Sequence, residues 1–229
     1  MKKTIIGASI LAFGMMLCGL CVEIGIHRIA QKDRAVTVKG LSTQDVKADY
    51  VVWPLSFSID GDNLPTLYKN LAEVQGTVTK FMTQQGFATA DIQMGNTTVT
   101  DNWANYYSST RPEHKYTLSS SVIISTDKVD LVIASQGCQS ELLNSGIILN
   151  SNDWSLDYQY NGLNELKPQM IEEATKNARA VAQKFADDAS CSLGSIRTAS
   201  QGQFSIESDA NQPWVKHVRV VTTISYYLD

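Results

Sequence analysis

An almost unbroken apolar run occupies residues 5–26, directly behind Lys2 and Lys3. As a helix with about 1.5 Å rise per residue it spans roughly 33 Å, enough for a hydrocarbon core of about 30 Å. The run constrains all the rest, because residues beyond it are expected on a membrane face or outside the cytoplasm. A cleaved signal peptide has a shorter apolar core and a small-x-small cleavage site. Here the run is long and no Ala-x-Ala comes after it. The stretch Leu17-Cys18-Gly19-Leu20-Cys21 hints at a lipoprotein box, but leucine precedes each cysteine. The expectation is a retained single-pass anchor: residues 1–4 inside, 5–26 spanning, 27–34 a stem. Cleavage remains the alternative. The flanking charges, Lys2 and Lys3 against Arg28, Lys32 and Arg34, nearly balance, so orientation rests on the shortness of the N-terminal tail.

Residues 35–229 are long enough for one sizeable domain with its own core. The chain is 43% hydrophobic with a formal net charge of −4, and its acidic and basic residues are interspersed. No basic stripe marks a nucleic-acid partner. Cys18 and Cys21 lie in the apolar run, whereas Cys138 and Cys191 either pair in an oxidising compartment or remain two separate thiols. No Cys/His cluster of zinc spacing occurs in the soluble part, so no metal is expected. P-loop, Rossmann, HExxH, EF-hand and G-x-S-x-G signatures are also missing from the sequence, which leaves no cofactor and no catalytic residue to name.

The periodicities predict an α+β fold, an antiparallel-rich sheet covered by amphipathic helices. Residues 35–41 read as a short strand. Residues 50–60 alternate cleanly, with Val51, Trp53, Leu55, Phe57 and Ile59 on one face; Pro54 on the other face argues for an edge or a bulge. Leu67, Leu71, Val74, Val78, Phe81 and Met82 make a helical stripe over 64–85, capped from the turn before it and ended at Gly86. Strands are expected at 92–101 and 114–125, then a helix to about residue 135. Another strand covers 154–160. A long helix over 164–189 is expected to put Ile171, Ala174, Ala178, Val181, Ala182 and Phe185 on its core face and to close at Gly194. Strands at 196–206, with Gly202 as a bulge, and at 215–228 finish the chain.

Several stretches in order resemble the SIMPL-domain family of bacterial envelope proteins: Val36-Thr-Val-Lys-Gly40, Lys47-Ala-Asp-Tyr-Val-Val-Trp53, the alanine-rich helix from Ala174 to Ala182 with Leu193-Gly194 after it, and the closing strand from Val218 to Leu228. The resemblance, closest to the membrane-anchored branch, covers about residues 34–229. It implies an α+β domain at the bacterial inner membrane, facing the periplasm or the exterior, which self-associates and is linked to envelope stress. It implies no catalytic residues.

Against that background the expected role is a non-enzymatic, self-associating envelope protein. The alternative is a small-molecule or peptide-binding module built on Asp101, Trp103, Tyr106 and Tyr107, where exposed rings would supply contact area. A hydrolase would need Asp49, Asp101 or His114 to converge within hydrogen-bond reach. Asp49 reads more simply as a charge bonding a turn or pairing with Lys47, and His114 and His217 as surface or edge histidines.

Overall fold

A computed structural model describes residues 13–20, 22–23, 34–104, 111–144, 146–150 and 156–229. Most of the expected anchor, 5–26, lies outside the described residues; residues 13–20 and 22–23 of it are helical and exposed. Among the described residues no helix is long and apolar enough to cross a membrane. The described chain is α+β, but with two sheets where the sequence suggests one, and it divides into two compact units. Each covers one face of a sheet with a helix of its own.

The first unit comprises the described residues up to Gln44, with Glu165–Ile206 and His217–Asp229. Its four-stranded sheet runs β1 (Ala35–Lys47), β9 (Val215–Leu228), β7 (Leu193–Gln201), with β8 (Ser205–Ser208) also on β9. The Leu228 N–H donates to the Arg34 carbonyl and the Thr37 hydroxyl to that of Ser225, so β1 and β9 run antiparallel. Period-two burial then turns Val38, Gly40 and Ser42 of β1 inward with Val218, Val220, Ile224 and Tyr226 of β9.

The helix of this unit, α4 (Leu163–Asp188), buries Leu166, Met170, Ala174, Ala178, Ala182 and Ala186, one residue every four. This corrects the expected core face: Val181 is 39% and Phe185 55% exposed. The reason is contact distance. A Cβ added at Gly40 would stand 1.8 Å from the Ala174 carbonyl oxygen and 2.6 Å from the Ala178 nitrogen. Strand and helix backbones touch there, and only small side chains fit beside such a contact. Polar bonds flank it, from the Ser42 hydroxyl to Glu173 at 2.7 Å and from the Asn177 amide to the Leu41 carbonyl at 2.8 Å. The helix ends at Asp188 and is closed by Ser190, not Gly194. Ser190 adopts φ 55°, and Cys191 N–H reaches back to the Ala186 carbonyl, the Schellman pattern usually built on glycine.

The second unit, Asp45–Asn164 with Glu207–Lys216, holds a five-stranded sheet. Its spine is β2 (Tyr50–Gly61) against β5 (Tyr116–Thr126), antiparallel from Val51↔Thr126 to Gly61↔Tyr116. The expected alternation is observed: Val51, Trp53, Leu55 and Phe57 are buried. Pro54 sits inside β2, and among the described residues β6 (Asp157–Gln159) pairs only with Tyr50, Val51 and Val52, so no described strand needs a donor from Pro54 on that side. The segment expected as one strand is two, β3 (Ile92–Met94) and β4 (Thr98–Asp101), both on β5. Helix α1 (Leu64–Gln84) is capped by Asn63, whose side chain accepts from Thr66 N–H, and packs Leu67, Leu71, Val78 and Met82 into the core. Helix α2 (Val129–Ser135) matches the expectation from the sequence. Helix α3 (Gln139–Asn144) does not.

Replacing Gly40 by alanine forces an atom against rigid backbone, an overpacking cost of about 3 kcal/mol or more. Urea unfolding of the intact chain in detergent should show that loss; a change within about 0.5 kcal/mol would mean that the contact is looser than described.

Candidate functional site

Of the residues expected to form the aromatic loop, Asp101 and Trp103 are described, and Tyr106 and Tyr107 lie outside the described residues. Asp101 ends β4, and its Oδ1 accepts from the N–H groups of Trp103 (2.9 Å) and Ala104 (3.2 Å). This is a carboxylate shaping its own turn. Trp103 is half-buried. Its indole N–H donates to the Pro112 carbonyl at 3.2 Å, and the Arg111 guanidinium lies 3.5 Å over its ring. The stacking contributes about 0.5–1 kcal/mol at an exposed site. The Asn102 amide ties the loop to the His114 carbonyl and the Thr117 hydroxyl.

Asp49 accepts from Asn161 N–H at 2.8 and 2.9 Å and from Gly162 N–H at 2.8 Å. It bonds a turn and fixes the two residues ahead of α4. Lys47 pairs instead with Asp130. That ion pair lies in an open groove of about 560 Å³, shared with Lys128 and Asp127. His114 faces Asp62 at 3.6 Å. The Lys115 backbone N–H at 2.8 Å, followed by His114, holds the Asp62 carboxyl below its usual pKa. Asp49 and Asp101 thus each bond a turn of their own, and His114 faces Asp62 and converges with neither. Cys138 and Cys191 are free thiols, the first in the second unit and the other in the first. Among the described residues no three His, Cys, Asp or Glu side chains gather as a metal site.

A residue that sequence reasoning passes over is Lys216. It is only 7% exposed, and its ammonium donates to the Ser208 hydroxyl at 2.6 Å across the β8–β9 turn. The turn is held by Asp209, which accepts from Asn211 and Gln212 N–H at 2.8 Å each. A signal exists: extending the inward row Val220, Val218 back by one period-two step lands on Lys216. Burial holds its pKa below the ordinary lysine value of 10.5, opposed by the Asp157 charge. Between the lowered value and the unfolded one, the unfolded chain binds more protons, so stability rises with pH across that window. Urea titrations of the wild type should show the rise as the pH climbs towards the ordinary lysine value of 10.5, and Lys216→Met should reduce it. Identical slopes in the two proteins would contradict the burial argument.

Comparison with known proteins gives one family match. Residues 36–220 fit the SIMPL model, described as a protein of unknown function (DUF541). Among curated proteins none matches the chain. The matched stretch takes in β1 with Gly40, the β2–β5 spine, α4 and the first part of β9. The chain belongs to the SIMPL family.

Proposed function

We propose that this chain is a membrane-anchored SIMPL protein of the bacterial envelope, its domain outside the cytoplasm, working by self-association and not by catalysis in a role linked to stress. The observation that carries the self-association reading is the open side of β7. This strand pairs only with β9 among the described residues, and its side chains from Ser195 to Gln201 are exposed. Its register shifts twice between Leu193 and Thr198 and is regular from Thr198 to Gln201, and unpaired N–H and C=O groups on such a stretch are a template for strand addition. The register identifies the groups involved. Gly202 N–H bonds the Val221 carbonyl, and Thr198↔Ser225 and Ser200↔Thr223 fall in step with it, so the N–H groups of Ala199 and Gln201 point away from β9. The apolar run at 5–26 supports the tether, and confinement to a membrane raises the effective concentration at which such edges meet. The ligand-binding alternative at 101–107 is less favoured, since the Asp101 Oδ1 and the Trp103 N–H are already engaged within their own loop.

Ala199→Pro removes one outward N–H without breaking the β9 ladder, so stability should change by less than about 1 kcal/mol. Light scattering of the intact chain in detergent should give a discrete oligomer for the wild type and a smaller species for the variant. A monomeric wild type, or an unaffected variant, would contradict the edge reading. Membrane fractions should retain the protein through alkaline extraction; a shortened soluble product would show that the N-terminal segment is cleaved.

A further inference from the structure

On the face of the second unit's sheet opposite α1, side chains from β2, β4 and β5 form cross-strand rows. Ser56 opposes Ser121, and Ser58 opposes Ser119, which in turn opposes Thr98. The intervening residues turn to the α1 side: Phe57 is 2% exposed, and the buried Ser120 hydroxyl accepts from Gln75 of α1 at 3.0 Å. Two segments wall the rows. On one side Asn150 bonds the Ser56 carbonyl through its N–H at 2.6 Å and the Ser58 hydroxyl through its amide at 2.8 Å. On the other, Gly95 N–H bonds the Ser121 carbonyl at 2.8 Å and brings Asn96 alongside. The result is a groove of about 340 Å³.

We infer that this groove binds an uncharged, hydroxyl-rich small molecule, a neutral saccharide of one or two rings. Three observations carry the assignment. None of the described residues lining the groove is ionisable, so an ion entering it would exchange water for the neutral dipoles of these side chains. The hydroxyls of Ser56, Thr98, Ser119 and Ser121 and the amide of Asn96 have no protein partner among the described residues. Each hydroxyl both donates and accepts, as does the amide, which is the pattern that sugar hydroxyls match. Third, Gly95 leaves that array unobstructed, since a Cβ there would stand 2.1 Å from the Ser121 hydroxyl. An ordinary solvated sheet face is also polar, but it lacks the two hydrogen-bonded walls. The volume lies at the lower end of the small-molecule range, roughly 300–1,000 Å³. The serines stand on the β2–β5 ladder, so little ordering is lost on binding.

The test is saturation-transfer NMR on the intact chain, in a detergent without a sugar headgroup. The probes are methyl α-glucoside and, as cationic and anionic forms of the same ring, glucosamine and glucuronate. Binding through neutral hydrogen bonds to solvated groups places the glucoside Kd near about 1 mM, with both charged forms about tenfold weaker or more. Ser56→Val with Ser121→Val removes both hydroxyls while placing β-branched residues, which suit strands, at these positions, and should weaken the glucoside by about tenfold. Asn96→Ala, outside the strands, should weaken it by about fivefold and serves if the double variant misfolds. No saturation by any probe at tens of times that concentration overturns the assignment. So does equal binding of the charged forms, or glucoside binding unchanged in Asn96→Ala.

Discussion

The first unit depends on one contact between two backbones. Gly40 lets β1 lie directly on α4 at Ala174 and Ala178, where a Cβ would have to occupy the space of a carbonyl oxygen. Other features of the unit derive from that approach. The helix face must be alanine from 174 to 186, with larger side chains confined to Leu166 and Met170 at its beginning. Because alanine buries little area, the core cluster that includes Val38, Ile224 and Tyr226 is small. Dispersion between close backbones and the Ser42–Glu173 and Asn177–Leu41 bonds then supply stabilisation that larger side chains would otherwise give.

The second unit solves the same problem conventionally. Trp53 and Phe87 meet edge-on with centroids 6.3 Å apart, and the aliphatic faces of β2, β5 and α1 complete a large core. Such a frame leaves the opposite sheet face free for side chains with no packing duty. That freedom is what permits a run of serines at the centre of the β2–β5 ladder. In the second unit the carboxylates that look chemically capable are occupied in holding backbone: Asp49, Asp101 and Asp62 each accept backbone N–H bonds. A strand edge and a hydroxyl-lined groove are left open among the described residues, and both suit recognition.

How much of this is legible in the sequence varies with its physical origin. The alternation of Val51 to Phe57 and the stripe of α1 are legible because burial alone sets them. The face of α4 is misread for a specific reason. Ranking by hydrophobicity favours Phe185 and Val181, but the approach to Gly40 rewards small size, and that constraint belongs to the partner strand. The split between β3 and β4 escapes sequence reading because the fit of Gly95 against Ser121 is a tertiary feature. Lys216 is legible in the period-two row, yet its charge argues against burial until its hydroxyl partner, which comes from another strand, is known. The two-sheet division is not legible, since alternation reports which face is buried and not which strands are neighbours.

The most direct test of the central claim is hydrogen exchange on the intact chain, read by mass spectrometry across a series of low urea concentrations. If the Gly40 contact binds α4 to its sheet, amides of residues 170–186 and of β1 from 36 to 43 open as one unit, at a single free energy. If the β1 amides exchange freely while α4 stays protected, or the helix opens first and leaves β1 intact, the contact does not organise the unit and the account fails.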